Sequence, residues 1–260
     1  MLGRRTLLVL VLVLLTAVVL VPPALAQRSA PSSFVSLREV DRSILLDIRY
    51  FTKHNFIGRR IRGYRAPMCI LTRQAAEGLA RVQAAVVPQG YTLKVYDCYR
   101  PQRAVNHFVR WARRLRDQRM KREFYPRVDK STLFDDGYIA ERSGHSRGST
   151  MDLTLVKLPA RDQPRWRPRD GLVSCFAPYR ERFPDNGVDM GTGYDCFDTL
   201  SHTLDRRIRG ARRQNRLRLK SAMEAAGFTN YENEWWHYTL DDEPFPDTYF
   251  NFPVSRRALR

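Results

Sequence analysis

Ser143-Gly144-His145-Ser146-Arg147-Gly148-Ser149-Thr150-Met151-Asp152-Leu153 is the stretch from which the rest of the chain is best read. It sets a histidine and an aspartate seven residues apart. Gly144 and Gly148 interrupt its first half, whereas Ser149 to Leu155 alternates polar and apolar like a strand. A loop that delivers His145 and then becomes a strand carrying Asp152 brings both side chains to one point. Imidazole and carboxylate suit zinc, and a catalytic zinc commonly keeps three protein ligands and a water. The third ligand is expected from Glu234-Trp235-Trp236-His237 near the C-terminus. A lone His–Asp pair is more often a surface or hydrogen-bonding pair, so the assignment leans on other stretches.

The chain has 260 residues, enough for one large domain or two small ones. Residues 1–26 read as a signal peptide outside the fold. Arg4 and Arg5 form a positive start, Leu7 to Val21 is almost unbroken apolar sequence, and Ala24-Leu25-Ala26 is a small-residue cleavage site. A retained anchor is the alternative, although the run is short for a span of roughly 20 apolar residues. The expected product is an exported, periplasmic or secreted protein beginning near Gln27.

Net charge is +18, and +16 without Arg4 and Arg5. A surface this basic attracts polyanions. The arginines are scattered and no nucleic-acid motif is present, so no nucleic-acid partner is expected. For an exported chain, loose association with anionic envelope surfaces fits better, and arginine richness through genome composition is the plain alternative. Cys69, Cys98, Cys175 and Cys196 are an even set without a C-x-x-C spacing, which favours two disulfides. Of the three possible pairings, Cys69–Cys98 and Cys175–Cys196 are expected. Cys69 precedes the first helix and Cys98 ends the strand after it, and the second pair brackets a local loop.

In chain order, residues 27–38 read as a mobile leader and Ile44 to Tyr50 as a first strand. A helix spans Thr72 to Val87, capped by Thr72, with Ala75, Leu79, Val82 and Val86 on one face. Tyr91 to Asp97 alternates as a strand. A second helix runs from Gln102 to about Met120, with Val105, Phe108, Val109, Ala112 and Leu115 inward and His107 exposed. Lys157 to Asp185 is rich in Pro and Arg and reads as a long surface insertion. A third helix covers Asn215 to Ala226, and Glu234 to Leu240 is a final strand. The whole is expected to form a single α+β domain over 27–260, with the insertion near 157–185.

Four segments stand out together: Tyr99-Arg100-Pro101, Ser143-x-His145 with Asp152, Asp189-Met190-Gly191-Thr192, and Glu234-Trp235-Trp236-His237. In this order the chain resembles the VanX-type D-alanyl-D-alanine dipeptidases, zinc enzymes of the wider D-Ala-D-Ala metallopeptidase group, from about Ile44 to Leu240. The resemblance implies a small antiparallel sheet with flanking helices and one zinc in a central cavity. It implies His145, Asp152 and His237 as zinc ligands, Glu234 as catalytic base, and Arg100 beside the developing oxyanion. It places Tyr50, Ser143 and Asp189 around the amino end of a small dipeptide substrate.

The chemistry is consistent with that implication, because two histidines and a carboxylate leave a fourth position open for water. Glu234 and His237 are three apart, so a regular strand would point them to opposite faces. Either a bend at Trp235-Trp236 or a start of the strand after Glu234 is required. Two other functions stay open: a carboxypeptidase acting on peptidoglycan stem peptides, and a non-enzymatic, zinc-stabilised binding module. A binding module has no use for Glu234 or Arg100.

Overall fold

A computed structural model of the protein describes residues 28–260; the expected signal peptide lies outside the described residues. No described helix is long and apolar enough to cross a membrane. The centre is a five-stranded sheet in the order β2 (Leu45–Leu46), β4 (Tyr91–Asp97), β5 (Thr150–Lys157), β7 (His237–Leu240) and β6 (Phe228–Asn230). The sheet is mixed rather than antiparallel, because β2 lies parallel to β4 while every other pair is antiparallel. The chain returns to β4 through β3 (Ile70–Thr72) and helix α2 (Arg73–Val86), and a crossover of that length permits parallel pairing.

The residues expected to mark α2 do so: Ala75, Leu79, Val82 and Val86 are buried, and the Thr72 hydroxyl accepts the Ala75 amide. Gln83, also buried, fastens the helix to β4. Its side chain donates to the Thr92 hydroxyl and accepts the Leu93 amide. Helix α3 (Gln102–Ala112) is shorter than the sequence pattern suggests and buries Val105, Phe108, Val109 and Ala112. Leu115 falls in the loop beyond it and is 50% exposed. Helix α5 (Gly210–Glu224) buries Leu219 and Met223 but leaves Leu217 on the surface.

Three other expectations need correction. The strand at Ile44 to Tyr50 shrinks to β2, after which Arg49–Phe51 turns as a 3₁₀ helix and aims Tyr50 inward. The leader is not free: β1 (Phe34–Ser36) pairs with β3, and the Phe34 ring packs among Tyr99, Phe250 and Phe252. The 157–185 segment is exposed in its middle but pinned at its end. Asp185 bridges Arg49 and Lys94, each at 2.5 Å, and Trp166 stacks on His54 with ring centroids 5.1 Å apart.

Two features of backbone geometry set up the interior. Between Val95 and Asp97 the β4–β5 register slips by one residue, a bulge at Tyr96 that brings Asp97 opposite Asp152. On the other side, Asp152 pairs with His237. Asp97, Asp152 and His237 therefore lie in one row across three strands. Gly148, at φ +91°, ends the 3₁₀ turn Gly144–Arg147 that carries His145; a Cβ there would sit 2.2 Å from the Phe34 ring.

Both disulfides are present as expected, Cys69–Cys98 and Cys175–Cys196. The first ties the start of β3 to the end of β4. The Cys69→Ser/Cys98→Ser variant should lose about 2–4 kcal/mol of stability. Denaturant unfolding measures this, and an unchanged midpoint would show that the bridge constrains nothing.

Candidate active site

His145 sits on the 3₁₀ turn and is fully buried. Its Nδ1 donates to the Cys98 carbonyl at 2.8 Å, so in the neutral ring Nε2 carries the lone pair and faces the sheet. There it meets Asp152 Oδ1 at 3.2 Å and His237 Nδ1 at 3.3 Å, and His237 Nδ1 lies 3.1 Å from the same oxygen. Among the described residues this buried oxygen has no hydrogen-bond donor.

Three ligand atoms at the corners of a nearly equilateral triangle fit a metal ion. With zinc–ligand bonds of about 2.0–2.1 Å, tetrahedral ligands lie roughly 3.3–3.4 Å apart. Electrostatics agree. Burial alone would raise the Asp152 carboxyl, but His145 and His237 overcome it and hold it below the usual carboxylate range. Burial and the nearby Arg100 lower His145, keeping it a neutral donor.

Glu234 precedes β7, the second of the two arrangements the sequence allowed. Its turn is held by the Glu234 amide to the Tyr231 carbonyl, the His237 amide to the Glu234 carbonyl, and the Asn230 side chain to that same carbonyl. The carboxylate comes within 3.5 Å of His237 Nδ1. Burial pushes Glu234 up to about 7, against the influence of His237.

Arg100 follows the bulge. Its Nε donates to Asp97 at 2.9 Å, one terminal nitrogen lies 3.4 Å from Asp152 Oδ2 and the other 3.4 Å from the Ser143 hydroxyl. Its guanidinium lies against the adjoining rings of Tyr50 and Phe108, 5.0 and 5.1 Å from their centroids. Tyr194 donates to Asp152 Oδ2 at 2.9 Å.

Several of these groups border a cavity of about 260 Å³. That is below the roughly 300–1,000 Å³ of ordinary small-molecule sites. Phe56, Val105, Phe108, Ile139 and Phe197 supply apolar walls. Tyr50, Arg100, Ser143, Asp152, Glu234 and His237 all border it, so the structure brings together the expected ligands, base, arginine and two of the three substrate contacts.

Asp189 is the exception. It does not border the cavity, and its carboxylate is ion-paired with Arg182 at 2.5 Å and Arg212 at 3.2 Å. The carboxylate that reaches the cavity is Asp195, six residues on. Both its oxygens lie near the Tyr50 hydroxyl, at 3.2 and 3.0 Å, which donates to them. It takes a left-handed φ of +57°, a conformation that aspartate tolerates better than most residues. The Cys175–Cys196 disulfide pins the neighbouring residue. Burial, with the charge of Asp152, pushes Asp195 well above the usual carboxylate range. A buried carboxylate held by one hydroxyl is poised for a cation. Asp97 and Tyr194 also went unnoticed in the sequence. Asp195 alone had a visible signal, as the second aspartate of the same glycine-bearing turn.

Taken together, these are the parts of a peptidase site: a His–Asp–His cluster able to hold one metal ion, a glutamate and a guanidinium beside it, and a small cavity. Comparison with known proteins agrees. A family model described as D-ala-D-ala dipeptidase matches residues 31–161 and 182–255, and the chain belongs to that family. A D-alanyl-D-alanine dipeptidase of Streptomyces coelicolor is 39% identical over 222 residues, covering 85% of this chain and 98% of the relative. One from Enterococcus faecium is 38% identical over 224 residues, covering 85% and 98%. One from Escherichia coli is 28% identical over 212 residues, covering 82% and 86%. Residues 162–181 fall between the two matched segments.

His145→Ala, Asp152→Ala and His237→Ala should each lose most of the bound metal while retaining the fold. Elemental analysis of purified protein, alongside circular dichroism, measures both; full occupancy in all three would place the metal elsewhere.

Proposed function

We propose that the protein is an exported, zinc-dependent dipeptidase that hydrolyses D-alanyl-D-alanine. The observation that carries this reading is one small cavity bordered by Asp152 and His237 of the three-ligand cluster, by Glu234, and by Asp195, a carboxylate with no cationic side chain within 4.0 Å among the described residues. His145, Asp152 and His237 would hold the zinc. When bound there, zinc supplies Lewis acidity toward the scissile carbonyl and makes water acidic enough to lose a proton near neutral pH.

The chain's own residues account for the remaining steps. Glu234 takes the proton of the attacking water and returns it to the leaving amine. Its elevated pKa suits a group that must act in both directions near pH 7. Arg100, locked by Asp97 and the two rings, presents a fixed positive charge to the oxygen that becomes negative. Asp195 and Tyr50 receive the substrate ammonium, the role the sequence had suggested for Asp189, and Ser143 adds a hydroxyl. The apolar walls suit two methyl side chains.

An exported enzyme cannot reach cytoplasmic wall precursors. Scavenging of D-Ala-D-Ala or turnover of wall material outside the membrane therefore fits better than protection against glycopeptides.

Glu234→Gln should keep its metal and lose roughly 10²–10⁴-fold in kcat. Unchanged turnover with saturating zinc would assign the base to another residue.

Length selectivity tests the substrate. D-Ala-D-Ala should be cleaved far better than its N-acetyl form or a stem peptide ending in the same two residues, because an acylated nitrogen leaves Asp195 buried and unpaired. Asp195→Asn should damage kcat/KM for the free dipeptide much more than for the acetylated one. Equal kcat/KM on all three substrates would replace the dipeptidase reading with a carboxypeptidase.

A further inference from the structure

Some arginines outside the site have carboxylate partners, such as Arg127 with Asp198, Arg147 with Glu243 and Arg207 with Asp205, and many others over the surface have none among the described residues. One group of the latter gathers on the outer side of α3 and the loop after it. There Arg62, Arg110, Arg114 and Arg116 are exposed, and none has a carboxylate within 4.0 Å among the described residues. Arg113 and Arg119 flank them, with only Glu141 and Asp117 as counter-charges. Arg59, from the loop after the Tyr50 turn, closes the group and lies against residues 113–119.

The crowding has a visible effect on the half-buried His107, whose Nδ1 accepts the Arg62 amide. Burial and the charges of Arg110, Arg62, Arg59 and Arg114 push it down to about 4. Leu115 stands among these cations with half its surface in water. The face also continues to the catalytic mouth. Arg113 borders a shallow groove with Arg110 and Arg142, and Arg142 borders the catalytic cavity itself.

The dipeptide proposed as substrate is a zwitterion without net charge, so steering it gives no reason for such a surface. We infer that the outer face of α3 and the Arg113–Arg119 loop form a docking surface for an anionic lipid bilayer, with the arginines on headgroup phosphates and Leu115 dipping into the interface. Guanidinium groups bind phosphate oxygens in pairs. An apolar tip within a basic surface is the arrangement of interfacial membrane binding rather than of a soluble polyanion site. No base-stacking platform accompanies the arginines, so RNA is the poorer match. The inference is independent of the proposed activity, and its test does not use catalysis as the readout.

The test is co-sedimentation of the metal-loaded protein with vesicles rich in phosphatidylglycerol, against vesicles of phosphatidylcholine alone. Binding should need the anionic lipid and weaken as salt rises. Arg113→Glu/Arg114→Glu/Arg116→Glu should lower vesicle affinity by about 100-fold, from roughly 1 kcal/mol per basic residue near the surface. A charge-matched control, Arg206→Glu/Arg209→Glu/Arg213→Glu, should bind nearly as wild type. Leu115→Ser should weaken the binding that remains at high salt. Equal losses in the two triple variants would overturn the inference in favour of net charge. Binding indifferent to Leu115→Ser and fully displaced by soluble polyphosphate would overturn it in favour of a soluble polyanion. Unchanged circular dichroism and thermal unfolding of the triple variants confirm that they are folded.

Discussion

The structure depends on how one buried carboxylate, Asp152, is satisfied. A charge taken out of water costs several kcal/mol unless neighbours compensate it. One oxygen of Asp152 is met by the Tyr194 hydroxyl and, at longer range, by Arg100. The other is left to two imidazole nitrogens. Each of those partners needs its own support. His145 is oriented by the Cys98 carbonyl, His237 by its register opposite Asp152, Arg100 by Asp97, and Tyr194 by stacking on Tyr96. The bulge at Tyr96 links them, since without it Asp97 would not stand opposite Asp152.

Much of this was legible in the sequence, and the limits have physical causes. α2 and β4 announced themselves through periodicity, which is a local property. His145 and Asp152 were legible because a glycine-broken loop running into an alternating strand leaves few ways to place them. The parallel pairing of β2 was not legible, because strand direction depends on a long crossover rather than on any residue in the strand. The choice between Asp189 and Asp195 had the same character. Both occupy one glycine-bearing turn, and what separates them is the pairing of the first with Arg182, seven residues earlier, and Arg212 of α5. The early end of α3 follows from Leu115 having nothing to pack against, although its spacing matched the apolar stripe.

The 157–185 segment is fastened to the centre of the fold at its C-terminal end. Its anchors, Asp185 and the Cys175–Cys196 bridge, attach close to residues that already face inward. Asp185 pairs with buried Lys94, which has no other carboxylate partner among the described residues, and shares buried Arg49 with Asp47. The disulfide holds the turn that presents Asp195.

The first and last described segments are stitched together, with the Ala30 amide donating to the Ala258 carbonyl at 2.7 Å. Whatever is attached to one end must leave the domain beside the other. The topology is thus nearly a closed ring. A short linker could join the two ends and new ends could be opened in the exposed stretch around Arg167–Gly171, giving a circular permutant in which the row of Asp97, Asp152 and His237 is left intact.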